Sequence, residues 1–193
     1  MCQEFGMKWS IMPLQIHLIE KIKKREDITD RIEVEIADYL AKVSESDLTK
    51  ETSYKIRGML RIVTELERIA DIIYLISTGW QRMQSQRSSF PEEVKKELEQ
   101  LFDKVYDFLK MTNSNLEQQP EEISIRTIYD LEETINDLRS QLQQKHYERL
   151  EKGKYSVQLG IIFLDFVNSA ERIGDHVVNI NEALASVKNI ETQ

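Results

Sequence analysis

Three kinds of residue are scarce in this sequence, and each shortage excludes a class of protein. The 193 residues include one cysteine, Cys2, so no disulfide can form within the chain. A small disulfide-stabilised secreted domain is therefore excluded, and a reducing compartment is expected. Glycine and proline number only six and three, whereas an all-β domain of this length needs many more turn residues.

Positive charge and long apolar runs are also in short supply. With 26 Lys and Arg residues against 34 Asp and Glu residues, the formal net charge is −8. A nucleic-acid surface needs clustered basic residues, so nucleic acid is not expected as a partner. The longest apolar stretch, around residues 159–167, is far shorter than a membrane span. The composition, 40% hydrophobic and 31% charged, is typical of a folded, soluble helical protein.

Helical periodicity of the apolar residues runs through the whole chain. It predicts five helices, at about 13–43, 49–87, 91–117, 120–152 and 155–187. All three prolines stand at predicted helix starts, where the missing N–H costs nothing, and one glycine, Gly153, fits a helix end. Because the connections are short, successive helices should pack as antiparallel neighbours. The predicted fold class is all-α.

The predicted helices form two copies of one unit. Residues 67–71, which read ERIAD, reappear 104 positions later as residues 171–175, which read ERIGD. Repeat one then spans residues 13–87, and repeat two spans residues 91–187, of a single domain over 1–193. Each repeat is expected to be an antiparallel three-helix bundle, the first lacking its N-terminal helix. Either the sequence is a piece of a longer protein or a partner covers the open face, because soluble monomers rarely expose a large apolar patch.

Each repeat holds two Glu-x-x-x-Asp pairs, one on each of two successive helices. Since residues i and i+4 share one helix face about 5–6 Å apart, the two carboxylates of a pair repel each other. Two pairs brought together by antiparallel packing would surround one point with four carboxylates, which suits hard or borderline cations. The candidate metal ligands in the first repeat are Glu26, Asp30, Glu67 and Asp71. In the second repeat they are Glu133 and Asp137, which match Glu26 and Asp30 at an offset of 107, together with Glu171 and Asp175.

The second set is expected to be the better placed, because its two pairs lie at similar distances from the connecting loop. In the first repeat these distances differ by about five residues, or roughly 7 Å along a helix. A structural interpretation stays open beside the metal. Arg68 and Arg172, each three residues before an aspartate, are placed to pair with it. On that interpretation the chain is a helical-bundle oligomerisation module with salt-bridged acids and no metal.

Motifs of the common enzyme classes are missing from the sequence. There is no Gly-rich phosphate loop, no nucleophile elbow and no Cys/His zinc spacing. The Glu-x-x-His spacing of ferritin-like di-iron proteins is absent, and His146 and His176 are interpreted as helix-surface residues. We therefore do not expect an enzyme, and no residue is assigned a catalytic role.

The segments 67–71 and 171–175 resemble the motif of the PhoU family, which is carried by the third helix of each of two three-helix bundles. The resemblance covers residues 13–187. Residues 26–40 and 48–51 look closest to the PhoU-like domain at the cytoplasmic C-terminus of bacterial sodium/phosphate cotransporters. The resemblance implies a cytoplasmic domain that regulates sodium-coupled phosphate uptake at the inner face of the cell membrane, without catalysis.

The resemblance also implies partners and a ligand. The partner would be a transporter membrane domain, in the same polypeptide or another, or a signalling protein, or a second copy of the chain. Some family members hold metal on these acidic motifs, which here implies divalent or transition metal ions such as iron, manganese, magnesium or zinc. Glu67, Asp71, Glu171 and Asp175 match the motif directly, whereas Ala70 stands where glycine is usual. The acids of the partner helices match less tightly.

Overall fold

The computed structural model describes residues 16–45, 47–118 and 123–191. Five helices make up almost all of this part of the chain: α1 (Ile16–Ser44), α2 (Lys50–Ser85), α3 (Glu92–Gln118), α4 (Ile125–Glu151) and α5 (Val157–Glu191). These residues contain no strand, which confirms the all-α prediction. Searched over the same ranges, no helix combines the length and the apolar character that a membrane crossing requires.

Capping residues set the helix ends. The side-chain oxygens of Thr49 and Ser124 accept hydrogen bonds from backbone N–H groups three residues on, at 3.1 and 3.4 Å, and so begin α2 and α4. The fourth helix thus begins later than the predicted start at Pro120, which lies outside the described residues, as does Pro13. At the other end Gly153 adopts a φ of +62°, a left-handed conformation that favours glycine, and ends α4 as predicted.

The two repeats contribute unequal numbers of helices. Helices α3, α4 and α5 pack on one another as a three-helix bundle, and α2 lies along α5. Within the described ranges α1 contacts α2 and no other helix. The described part of the first repeat is therefore a two-helix hairpin. Exposed apolar side chains on this hairpin include Ile32, Tyr39, Met59 and Leu66.

The hydrophobic core is continuous across the repeats because α2 and α5 pack closely. Gly79 on α2 allows the close approach, since a Cβ at this position would lie 2.7 Å from Cε1 of Phe166 on α5. The Phe166 ring stacks on Trp80 with the centroids 5.1 Å apart, and Phe90 meets both rings edge-on. This aromatic cluster joins the first repeat to the second.

His146 is not a surface residue, contrary to the prediction, but is completely buried in the second bundle. Its ring stacks on Phe163 at a centroid distance of 5.0 Å, and its Nδ1 lies 2.5 Å from the hydroxyl of Tyr155. Burial, together with the charge of Arg149, lowers the pKa of His146. The imidazole is therefore a neutral core side chain, which explains how an aromatic environment tolerates it.

Candidate metal centre

An acidic cluster lies where α1 crosses α2 in the first repeat. One carboxylate oxygen from each of Glu26, Asp30 and Asp71 lies within 4.8 Å of the other two. Glu67, one turn before Asp71, interacts electrostatically with Asp71 and with Glu33. These five residues are called the first acidic cluster below. The structure thus brings together three of the four ligands predicted in the first repeat, with Glu67 and Glu33 nearby.

Helix geometry explains why these side chains meet. The α1 members of the cluster recur at intervals of four and three residues, and the two α2 members are four residues apart, so each set shares one helix face. The hydroxyl of Thr64 on α2 donates a hydrogen bond of 2.8 Å to Oε1 of Glu33, which links the two faces. The spacing that predicted Glu26 and Asp30 could also have found Glu33, because it continues the same stripe.

The first acidic cluster is poorly neutralised. Burial is the largest cause that raises the pKa of Glu67 to about 7, and the negative charge of Asp71 is the next largest. Burial and then the charge of Asp30 likewise raise the pKa of Glu26. Oδ1 of Asp30 is buried without a hydrogen-bond partner among the described residues. The three converging members offer only carboxylate oxygens as donors, a set that fits a hard cation.

Glutamine in place of Glu67 is expected to stabilise the metal-free protein. In the folded state Glu67 keeps its proton up to about pH 7, whereas an ordinary glutamate carboxyl releases it near pH 4.5. The contribution of Glu67 to the free energy of unfolding is therefore fully present below pH 4.5 and is lost as the pH rises through 7. At pH 8 the free energy of unfolding of Glu67→Gln should exceed that of the wild type by about 1 kcal/mol, since solvent screening reduces the effect of a partly exposed group.

Urea unfolding with a metal chelator at pH 8 and below pH 4.5 measures this difference, which should vanish at the acid pH. Glu171→Gln is the matched control at the corresponding motif position. It removes an ion pair with Arg139 and should lower the free energy of unfolding at pH 8. An equal gain in both variants, or a gain independent of pH, contradicts the assignment of strain to the first acidic cluster.

The second set of predicted ligands does not converge. Glu133 and Asp137 are exposed because Ile135, between them, is buried in the core and a helix turns by roughly 200° over two residues. Glu171 pairs instead with Arg139 on α4, with Nη1 and Oε1 3.5 Å apart. Within the described ranges no group of three acidic side chains meets in the second repeat. The prediction that the second repeat offers the better-placed site is therefore wrong.

Burial relates the first helices of the two repeats by a register that differs by one residue from the predicted one. At an offset of 106, buried Leu40 corresponds to buried His146, and Ile36 to Leu142. The predicted offset of 107 instead pairs Leu40 with the exposed Tyr147. In the register set by burial, Glu26, Asp30 and Glu33 correspond to Glu132, Asn136 and Arg139, all three of which are half-buried.

The two motif helices also enclose a cavity of about 360 Å³. It is lined by Arg68, Asp71, Arg172, Asp175 and His176. Neither arginine forms the i,i+3 salt bridge that the spacing predicted. Arg68 instead donates to buried Glu65 at 3.3 Å, and Nδ1 of His176, a half-buried residue, lies 2.6 Å from the other carboxylate oxygen of Glu65. The structural interpretation of these aspartates as partners of the neighbouring arginines is therefore wrong.

Known proteins share both the motifs and the helical arrangement. The family model described as the PhoU domain matches residues 10–78 and 98–184. The chain is 21% identical over 173 residues to the phosphate-specific transport system accessory protein PhoU homolog 1 of Thermotoga maritima, covering 89% of this chain and 73% of that protein. The crystal structure of PhoU from Pseudomonas aeruginosa is similar with a TM-score of 0.68 at 14% identity, over 89% of this chain and 81% of that one.

Proposed function

Since the chain belongs to the PhoU domain family, we propose that it regulates phosphate transport, and that it does so by binding rather than by catalysis. The family match reaches across both repeats, and the relative from Thermotoga maritima is an accessory protein of a phosphate-specific transport system. The partner is then a phosphate transporter at the cytoplasmic face of the membrane. The likeness of residues 26–40 to the cotransporter domain favours a sodium-coupled transporter, in the same polypeptide or a separate one.

The regulatory ligand in this proposal is a metal cation held by the first acidic cluster. The observation that carries it is the convergence of Glu26, Asp30 and Asp71 within 4.8 Å of one another. Support comes from the buried, unpartnered Oδ1 of Asp30 and from the raised pKa of Glu67. An all-carboxylate donor set suits iron, manganese or magnesium better than zinc, which favours nitrogen and sulfur ligands. When bound, the cation would offset the repulsion between α1 and α2.

The second candidate function, a helical oligomerisation module with salt-bridged acids, fits the second repeat better than the first. There Glu171 pairs with Arg139, and the hairpin of the first repeat exposes apolar side chains such as Ile32 and Tyr39. This function leaves the first acidic cluster unexplained, because it gives no role to the convergence of Glu26, Asp30 and Asp71.

Phosphate uptake in cells that lack the gene tests the proposal. The initial rate of radiolabelled phosphate uptake, before and after transfer from low to high phosphate, should lose its normal adjustment in the deletion strain. The wild-type gene should restore the adjustment, whereas Glu26→Gln combined with Asp30→Asn should not. Glu133→Gln combined with Asp137→Asn is the matched control, because these acids are exposed and outside the cluster.

Each part of the proposal has its own contrary outcome in this experiment. Unaltered uptake in the deletion strain contradicts regulation of phosphate transport. Full restoration by the Glu26→Gln and Asp30→Asn variant contradicts the metal as the regulatory ligand while leaving the transport role intact. Measured protein levels must be equal in all strains for either conclusion.

A further inference from the structure

In the register set by burial, the second repeat differs in charge at two of the five positions of the acidic cluster. Asn136 stands where the first repeat has Asp30, and Arg139 stands where it has Glu33. The first acidic cluster therefore holds five carboxylates, whereas its counterpart holds three carboxylates, one amide and one guanidinium. The residues of this counterpart cluster are Glu132, Asn136, Arg139, Glu171 and Asp175.

The arginine of the counterpart cluster faces the acid that corresponds to Glu67. Nη1 of Arg139 lies 3.5 Å from Oε1 of Glu171, and the two side chains are 28% and 25% exposed. Nε of Arg139 and Oδ1 of Asn136, one turn apart on α4, are both buried without a hydrogen-bond partner in the described part of the chain. The Asn136 amide also donates a hydrogen bond to Glu132. Positive charge is thus built into this position by the protein itself.

We propose that the Arg139 guanidinium takes the place of a metal cation in the second repeat, so that metal binding is confined to the first acidic cluster. An arginine stays protonated at every physiological pH, and it repels a metal ion brought to the same carboxylates. Asn136, which stands where the first repeat has Asp30, offers a neutral amide in place of a charged carboxylate ligand. This inference rests on the proposed function only in taking the first acidic cluster as the metal site.

The consequence is a division of roles between the two copies of the motif. The first acidic cluster responds to the supply of metal, because its repulsion is offset only when a cation is bound. The counterpart cluster holds α4 to α5 at all metal concentrations, because its counter-charge is covalently part of the chain. The two copies therefore behave as a variable and a constant version of the same helix crossing.

Restoring the acidic residues tests this inference. In the variant N136D/R139E the second repeat regains the five carboxylates of the first, and we expect it to bind about one more equivalent of Mn²⁺ than the wild type. Isothermal titration of chelator-treated protein, with metal content measured after gel filtration, gives the stoichiometry. The added binding should disappear when Glu171→Gln is introduced. The matched control is Arg126→Glu, which makes the same charge change as Arg139→Glu alone at an exposed position of the same helix.

Circular dichroism establishes that each variant is folded, and N136D/R139M supplies a version with less added negative charge. No added Mn²⁺ in folded N136D/R139E and N136D/R139M overturns the inference, as does loss of Mn²⁺ from the wild type on Glu171→Gln. The first result leaves the first acidic cluster as the metal site, whereas the second places bound metal at the counterpart cluster. If the wild type binds no Mn²⁺ but N136D/R139E does, the inference holds and the proposed metal binding of the first repeat fails.

Discussion

Asparagine in place of Asp71 is expected to weaken Mn²⁺ binding by about tenfold or more and to reduce the thermal stabilisation by the ion. Loss of an outer-shell partner of a metal ligand already costs roughly 10–100-fold in affinity, and loss of a direct ligand should cost no less. Asp71 is the α2 residue that meets both Glu26 and Asp30. Its exchange for an amide removes one negative charge while keeping the side-chain size, so the helix crossing is retained.

Isothermal titration and thermal unfolding of chelator-treated protein measure this effect. Because a ligand stabilises the folded state by RT ln(1 + [L]/Kd), a tenfold weaker affinity removes about 1.4 kcal/mol at saturating metal. Asp175→Asn is the matched control, since it changes the corresponding aspartate of the second motif, where no metal is expected. An equal loss in both variants places the metal elsewhere, and an unchanged affinity in Asp71→Asn removes the first acidic cluster as its site.

Alanine in place of Phe166 is expected to lower the free energy of unfolding by about 4 kcal/mol, in the range found for large aromatic residues deleted from cores. The ring is 1% exposed and stacks on Trp80, so its removal leaves a cavity at the joint between the repeats. Gly79 lies against the same ring and offers no side chain to fill that space. The loss is a large part of the total stability of a domain of this kind.

Urea unfolding followed by circular dichroism measures the loss. Val157→Ala is the control on the same helix, because Val157 is 70% exposed and its truncation should change the free energy of unfolding by no more than about 0.5 kcal/mol. If the two repeats then unfold in separate transitions, the aromatic cluster is what couples them. A loss below about 1 kcal/mol contradicts the role given to the Phe166 ring.

The fold could be predicted from the sequence because long amphipathic helices declare themselves by their periodicity. All five helices are found close to their predicted positions. The ends of the helices are harder to predict from the sequence, since capping depends on a single side chain. Ser124, rather than Pro120, begins the described part of α4, because its hydroxyl accepts the hydrogen bond from the Thr127 N–H.

The site was predicted only in part, because its assembly depends on helix rotation. The acidic doublet Glu132–Glu133 allows two registers between the repeats, and the sequence offered no way to choose between them. One residue of register is about 100° of rotation, enough to move a carboxylate from the helix contact to solvent. This ambiguity does not affect the first repeat, because its acidic pairs do not depend on an alignment between the repeats. The pairing of Arg139 with Glu171 depends on the same rotation and could not be foreseen.

Among the described helices α1 packs along a single neighbour, α2, whereas each of the others packs against at least two. Local opening generally requires less free energy where fewer contacts must break. The carboxylates of the first acidic cluster lie along this one interface. If they hold a cation as proposed, its binding would raise the free energy needed to open α1, and metal concentration would set the mobility of this helix.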